Sequence, residues 1–169
     1  HAITAPNMSK PTPLQHGKTY HIYARGTNRE TIFHEPRNYI HFLNLYRRYV
    51  APIADTYAYC LLKNHWHLLA RIKTLEELAA PASDPLASTL PHIEPSQAFS
   101  NLLNAYAKAI NVAHNRTGSL FQHPFGRIEV RDKGYFARLV VYIHRNPQKH
   151  GLIDDFRDAN HFPLPQSQQ

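Results

Sequence analysis

Apolar and polar side chains alternate along four stretches of the chain. Residues 17–25 alternate tyrosine and isoleucine with polar positions, and residues 54–62 (ADTYAYCLL) repeat the alternation. A turn at residues 63–64 leads from the second stretch into a third, as in a β-hairpin. Residues 127–131 (RIEVR) form the fourth stretch. A period of two is typical of strands that turn one face toward a core, so four β-strands are predicted.

The segments between these strands and after them have apolar residues at helical spacing. Pro36 opens an aromatic-rich segment, RNYIHFLNLYRRYV, whose apolar side chains recur every three or four residues. Ser96 is the predicted cap of a second helix that runs to about Asn115. A third helix is predicted over residues 132–146, and Pro147 is expected to end it, because the residue before a proline disfavours helical backbone.

The order of these elements is strand, helix, strand, strand, helix, strand, helix. It predicts an α+β fold, namely a ferredoxin-like split βαβ with a central antiparallel sheet and helices packed on one face of it. A length of 169 residues suits a single domain, which we expect over residues 16–160. Residues 1–15 are predicted to be a disordered start that includes an expression remnant, and residues 161–169 a tail. The proline- and serine-rich stretch 81–95 reads as an irregular insertion.

The second strand of the hairpin carries two histidines. In KNHWHLLARIK, residues 63–73, Trp66 and the alternate apolar residues after it form one face of the strand. His65 and His67 point to the other, less apolar face, with Cα atoms roughly 7 Å apart. We expect that face to be open. A pair of strand histidines is more often structural than metal-binding, so both interpretations stay open at this point.

Charge indicates a partner for the chain. The formal net charge is +7, and residues 1–50, 51–100, 101–150 and 151–169 carry +5, −2, +6 and −2. Two basic segments therefore flank the histidine strand. This distribution favours a polyanionic partner, nucleic acid before a membrane surface. No apolar span of membrane length and no signal peptide is visible, so we expect no membrane partner.

Single residues in apolar surroundings carry less information. The one cysteine, Cys60, lies in the apolar run YAYCLL, and we expect a buried, inert thiol in a reducing compartment. On the last predicted helix, Tyr142 and Asn146 are four residues apart and therefore share a helix face. A tyrosine and a carboxamide one turn apart are common by chance, so neither residue alone indicates a site.

Four segments between residues 20 and 152 together resemble the HUH single-tyrosine transposases, in particular the REP-associated tyrosine transposases. The segments are YHIYARGTNRETIF, YCLLKNHWHLLARI, RTGSLFQHPF and YFARLVVYIHRNPQKHGL. The resemblance implies that His65, His67 and Asn146 hold a divalent metal, Mg²⁺ or Mn²⁺, and that Tyr142 is the nucleophile. It also implies a metal-dependent single-stranded DNA endonuclease and strand transferase, which acts on hairpin DNA through a covalent 5′-phosphotyrosine in DNA transposition and recombination.

Further site residues follow from this interpretation. His123 and His144 are candidates for a local base, although a structural role is the commoner one for each. Tyr23 is a candidate for stacking on unpaired bases, again beside the commoner reading as a core residue. The basic side chains expected to contact DNA phosphates are Arg25, Arg29, Lys63, Arg71, Arg116, Arg127, Arg131 and Lys149.

Other functions remain open on the sequence. The first is a hairpin DNA- or RNA-binding regulator that keeps the fold without cleavage. A protein stabilised by a structural metal and a metal-dependent RNase are further alternatives. We expect a monomer rather than a homodimer, because the 81–95 insertion is long, and we expect the bacterial cytoplasm, associated with the nucleoid.

Overall fold

The computed structural model describes residues 10–79 and 93–149. Within them, four strands form one antiparallel sheet in the order β2-β3-β1-β4. This order confirms the predicted α+β, ferredoxin-like split βαβ architecture. The strands are β1 (Thr19–Arg25), β2 (Ala54–Leu62), β3 (His65–Ile72) and β4 (Gly126–Glu129), and the helices are α1 (Pro36–Tyr49), α2 (Leu75–Ala79), α3 (Pro95–Ala113) and α4 (Lys133–Lys149).

One face of the sheet, which we call the α1/α3 face, is covered by α1 and α3. Alternate residues of β1 and β3, such as Ile22 and Leu68, are almost fully buried there. Phe42 of α1 and Tyr106 of α3 meet edge to face with ring centroids 5.2 Å apart. The Tyr106 hydroxyl donates a hydrogen bond of 2.6 Å to the carbonyl oxygen of Ile32, so this aromatic core also satisfies its buried polar atom.

The opposite face, which we call the α4 face, is covered by α4 over β2 and β3. Leu139 and Ile143 of α4 pack there against Cys60 and Leu69. The expectation that all helices share one face is therefore wrong. A register shift between Thr56 and Ala58 turns the apolar residues of the second half of β2 toward this face, and they require a cover.

Three predicted element ends differ from the structure. Helix α3 begins at Pro95 with Glu94 as its N-cap, and Ser96 lies inside the first turn and does not cap it. Proline suits the first turn, since its missing N–H would have no helical partner there. Helix α3 ends at Ala113, and α4 continues through Pro147 to Lys149 because the preference against helix before a proline is only a preference.

The structure does not test the predicted domain limits. Residues 80–92, which make up most of the predicted insertion, lie outside the described residues, as do residues 1–9 and everything after residue 149, including the predicted tail. Leu14 is buried in the core beneath α1 and α3. No helix in the described part of the chain is long and apolar enough to cross a membrane.

Candidate functional site

The two histidines of β3 lie side by side on the α4 face. Their ring centroids are 5.1 Å apart, and the rings are nearly perpendicular. His65 is 8% exposed and His67 9%, so the expectation that they occupy an open face is wrong. They are buried because β3 is a central strand whose second face lies under α4.

Helix α4 brings Tyr142 to this pair. The ring centroid of Tyr142 lies 5.8 Å from that of His67, with an edge-to-face angle of 82°. Successive helical residues are about 100° apart, so burial of Leu139 and Ile143 against the sheet turns Tyr142 to the flank of the helix. Its side chain is 44% exposed and can be reached from solvent. Asn146 lies one turn further along α4, and its side chain is outside the described part of the structure.

A third histidine, which sequence reasoning missed, completes the group. His21 of β1 is 7% exposed, and its Nε2 lies 3.0 Å from Nδ1 of His67. Burial lowers the pKa of His21, which favours a neutral ring. Its position in the alternating segment TYHIYAR placed it on the same strand face as Tyr23. Its contact with His67 depends on the register between β1 and β3, which the sequence does not disclose.

Asn64, in the hairpin turn, contacts the other metal-ligand candidate. Its Oδ1 lies 2.7 Å from Nδ1 of His65, and its Nδ2 donates a hydrogen bond of 3.4 Å to the carbonyl oxygen of Arg29. Each histidine of the pair therefore has its Nδ1 in contact with a neighbouring side chain. Neither neighbour was among the predicted site residues.

A cleft of about 380 Å³ opens beside the histidines, at the end of β1 that extends past the start of β4. Tyr23 forms one wall, with its ring centroid 6.1 Å from that of His67. A Cβ atom on Gly126 would lie 2.1 Å from the Tyr23 ring, so glycine is what allows the tyrosine to lie across β4. The full lining is Tyr23, Ala24, Arg25, His65, Trp66, His67, Gln122, Pro124, Phe125 and Gly126.

Three of the predicted DNA-contacting cations cluster at this end of the sheet. Arg25 is the cross-strand neighbour of His65 on the same face. Lys63 lies in the hairpin turn. Arg29 lies next to that turn, because its carbonyl oxygen accepts the hydrogen bond from Asn64. All three side chains are exposed, and none forms an ion pair with a carboxylate among the residues described here. They are the predicted cations best placed to meet a phosphate beside the histidines.

Other predicted contact residues have partners within the protein. Arg71 binds Asp55 and Glu77, Arg116 binds Glu30, and Arg131 binds Glu129. The guanidinium of Arg127 lies 3.8 Å above the Phe125 ring and donates to Ser96 Oγ at 3.0 Å, and burial lowers its pKa. We expect these four to contribute less to DNA contact. The Lys149 side chain is outside the described part.

The two candidate local bases lie in different places. His123 lines a second, larger cavity of about 440 Å³ between α3 and the segment after it, which contains none of the histidines of β3. His144 is half-buried on α4, two residues from Tyr142. The larger cavity is therefore not the one beside the tyrosine, and the histidine group identifies the candidate site better than size does.

The donor set is suitable for a divalent ion but incomplete in the described residues. No group of three or more histidine, cysteine or acidic side chains that could hold a metal occurs among them. Two imidazole nitrogens fit Mn²⁺ or a similar first-row ion, and a carboxamide oxygen and substrate oxygens would have to supply the remaining ligands. Cys60 pairs with His67 across the strands, but burial raises the pKa of its thiol to about 12, as expected of an inert cysteine.

Comparison with known proteins supports the fold. No protein-family model matches this sequence, and no curated protein matches it significantly. The structure is similar to a solved structure of a REP-associated tyrosine transposase bound to a REP hairpin, with a TM-score of 0.61 and 16% sequence identity. The alignment covers 92% of this chain and 80% of the other. At this identity the similarity shows a shared fold.

Proposed function

We propose that this protein is a metal-dependent single-stranded DNA endonuclease and strand transferase of the HUH type. The observation that carries the proposal is the contact between Tyr142 and His67, whose ring centroids are 5.8 Å apart. A phenol on α4 and an imidazole pair on β3 are distant in sequence, and the fold brings them into contact. The similarity to a transposase that binds a DNA hairpin supports the same class of substrate.

In this proposal His65, His67 and Asn146 hold a divalent ion, Mg²⁺ or Mn²⁺. Such an ion, when bound, neutralises and orients the phosphate that is to be cut. Neutral imidazoles and a carboxamide leave the full charge of the ion available for that task. Burial of the two rings under α4 keeps them from rotating, so their positions are set before DNA arrives.

Tyr142 supplies the nucleophile. Its phenolic oxygen bonds to phosphorus and loses its proton, the bond from phosphorus to the 3′ oxygen breaks, and that oxygen leaves as a 3′-hydroxyl once protonated. The product is a 5′-phosphotyrosine that conserves the bond energy for rejoining. The partial exposure of Tyr142 leaves room for a DNA strand to reach it.

The strand would cross the end of the sheet where Arg25, Arg29 and Lys63 lie. None of the three forms an ion pair with a carboxylate in the described part of the chain. Arg71 and Arg116 do form such pairs, so a DNA phosphate is attracted more strongly to the first three residues. Tyr142 and His67 meet within one chain, which supports action as a monomer. Light scattering of the protein bound to a hairpin would test that state.

The decisive experiment detects a covalent adduct. A labelled hairpin oligonucleotide with a single-stranded flank is incubated with Mn²⁺, and the reaction is run on a denaturing gel. We expect a protein–DNA adduct that is lost in Tyr142→Phe, whereas Tyr57→Phe, a change at a tyrosine of similar exposure (47% against 44%), retains it. Adduct formation by Tyr142→Phe would refute the assignment of the nucleophile.

Binding without chemistry would favour the alternative function. A hairpin that binds tightly with and without Mn²⁺, and that never forms an adduct, would identify a non-cleaving DNA- or RNA-binding regulator. A ribose substituted at the cleavage position separates a DNA enzyme from an RNase, because an RNase cuts only the ribose-containing hairpin, whereas the proposed DNA enzyme forms its adduct with an all-DNA hairpin.

A further inference from the structure

The tautomer of each histidine determines whether the pair can share an ion. A neutral imidazole has one N–H and one nitrogen with a lone pair, and only the latter can bind a cation. Two rings on one strand form a site only if both direct a lone pair to the same point. The contacts at Nδ1 therefore matter as much as the presence of the rings.

For His65 the tautomer follows from Asn64. The Nδ2 group of Asn64 donates to the carbonyl oxygen of Arg29, which leaves Oδ1 facing the ring of His65 at 2.7 Å. A carbonyl oxygen only accepts, so the proton of His65 is on Nδ1 and the lone pair is on Nε2.

For His67 the partner is another imidazole. Nδ1 of His67 and Nε2 of His21 are 3.0 Å apart, and the two rings are stacked at 26° with centroids 5.2 Å apart. A hydrogen bond between two neutral rings has one proton between the facing nitrogens, in one of two arrangements. If His67 donates, its lone pair is on Nε2, as in His65. If His21 donates, the lone pair of His67 faces His21 instead.

The position of His21 suits it to hold the first arrangement. It lies in β1, which is hydrogen-bonded to β3 on one side and to β4 on the other, so its backbone is held by both neighbours. Its side chain is almost fully buried, and Tyr23 packs near it with ring centroids 5.2 Å apart. A rigid acceptor at this point fixes the rotation of the His67 ring as well as its proton.

We infer that His21 is a positioning residue that accepts the Nδ1 proton of His67, as Asn64 does for His65, so that both Nε2 lone pairs are directed at one cation. The inference rests on the proposed function for its purpose. In this arrangement His21 is not a ligand, because its Nε2 lone pair accepts from His67 and its Nδ1 carries the proton.

The test measures tautomer and metal affinity separately. Two-bond ¹H–¹⁵N spectra of the metal-free protein, labelled in histidine, report which nitrogen of each ring carries the proton, and His67→Gln assigns the signal. We expect the His67 proton on Nδ1 in the original protein. His21→Leu should release it to Nε2 and weaken Mn²⁺ binding by roughly 10–100-fold. His21→Gln, whose side-chain oxygen is an acceptor, should keep the tautomer and most of the affinity.

His16→Leu is the matched control. The imidazole of His16 is also hydrogen-bonded, between its Nδ1 and the carbonyl oxygen of Lys73 at 2.8 Å, but His16 is not part of the histidine group. His16→Leu should leave both the His67 tautomer and the Mn²⁺ affinity unchanged. A His67 proton on Nε2 in the original protein would overturn the inference, and so would equal Mn²⁺ affinity in His21→Leu and His21→Gln. If the original protein binds no Mn²⁺, the proposed metal site fails, while the tautomer spectrum still decides the role of His21.

Discussion

The two faces of the sheet differ in how they are packed. Among the described residues, the core on the α1/α3 face has 22 buried members, and the cluster on the α4 face has six. The first face has all the buried Phe, Tyr and Trp side chains of the described residues and is covered by two long helices. The second face is covered by one helix and contains all three histidines of the candidate site, with a cleft beside them.

This difference shows how one strand contributes to the main core and to the candidate site. β3 turns Trp66, Leu68 and their alternates into the larger core, where burial of apolar surface stabilises the fold. The same alternation places His65 and His67 on the α4 face, where both are almost fully buried beside the cleft. The larger core therefore holds in place the strand that carries the candidate ligands.

The largest effect should come from the α1/α3 face. Phe99 is fully buried, and Phe99→Ala should lower the free energy of unfolding by about 3–5 kcal/mol, because it leaves a cavity among aromatic rings. Urea unfolding followed by the fluorescence of Trp66, the single tryptophan, measures it. If Phe99→Ala lowers the free energy of unfolding no more than Ile143→Ala does, the two faces do not differ in their contribution to stability.

A smaller loss is expected on the α4 face. Ile143 is also fully buried, but Ile143→Ala should cost about 2 kcal/mol, the lower end for such a change, because α4 packs on a small cluster. Hydrogen exchange should show faster opening of α4 than of α3 in this variant. Uniform acceleration in both helices would mean that α4 is part of one cooperative core.

A third, smaller loss of stability is expected from a substitution in the wall of the cleft. Gly126→Ala places a methyl group against the Tyr23 ring, and we expect a loss of about 1 kcal/mol together with displacement of that ring. The same glycine substitution is also made in Tyr23→Ala, which lacks the ring. The two changes should couple by at least 0.5 kcal/mol in a double-mutant cycle. Additive effects would show that the tyrosine does not depend on the glycine.

The smallest effect concerns the far end of β3. Hydrogen bonds from Arg71 lower the pKa of Glu77 from 4.5 to about 2. A lowered folded-state pKa means that the stabilisation is complete above about pH 4.5 and is lost as the pH falls toward 2. The melting temperature of the original protein should exceed that of Glu77→Gln slightly at pH 6, and the gap should close in acid. A gap that widens in acid would contradict the assigned direction.

Much of the fold was predictable from local signals. The alternation in residues 54–62 predicted the bounds of β2, and Pro36 the start of α1, because strand pleating and the first turn of a helix depend on neighbouring residues alone. The site was predictable only as separate residues. His65, His67 and Tyr142 stood out by their spacing and by resemblance, whereas His21 and Asn64 carried no signal of their own.

Local sequence patterns specify the strands, the helices, the basic charge and the alternation that separates His65 and His67 from the apolar side of β3. The pairing of β1 with β3, the cover of α4 over the histidine face, and the ion pairs of Arg71 and Arg116 are visible only in the folded chain. The two kinds of feature differ in the range of the interactions that produce them. Periodicity and capping act over a few residues, whereas register and helix placement come from packing between segments that are distant along the chain.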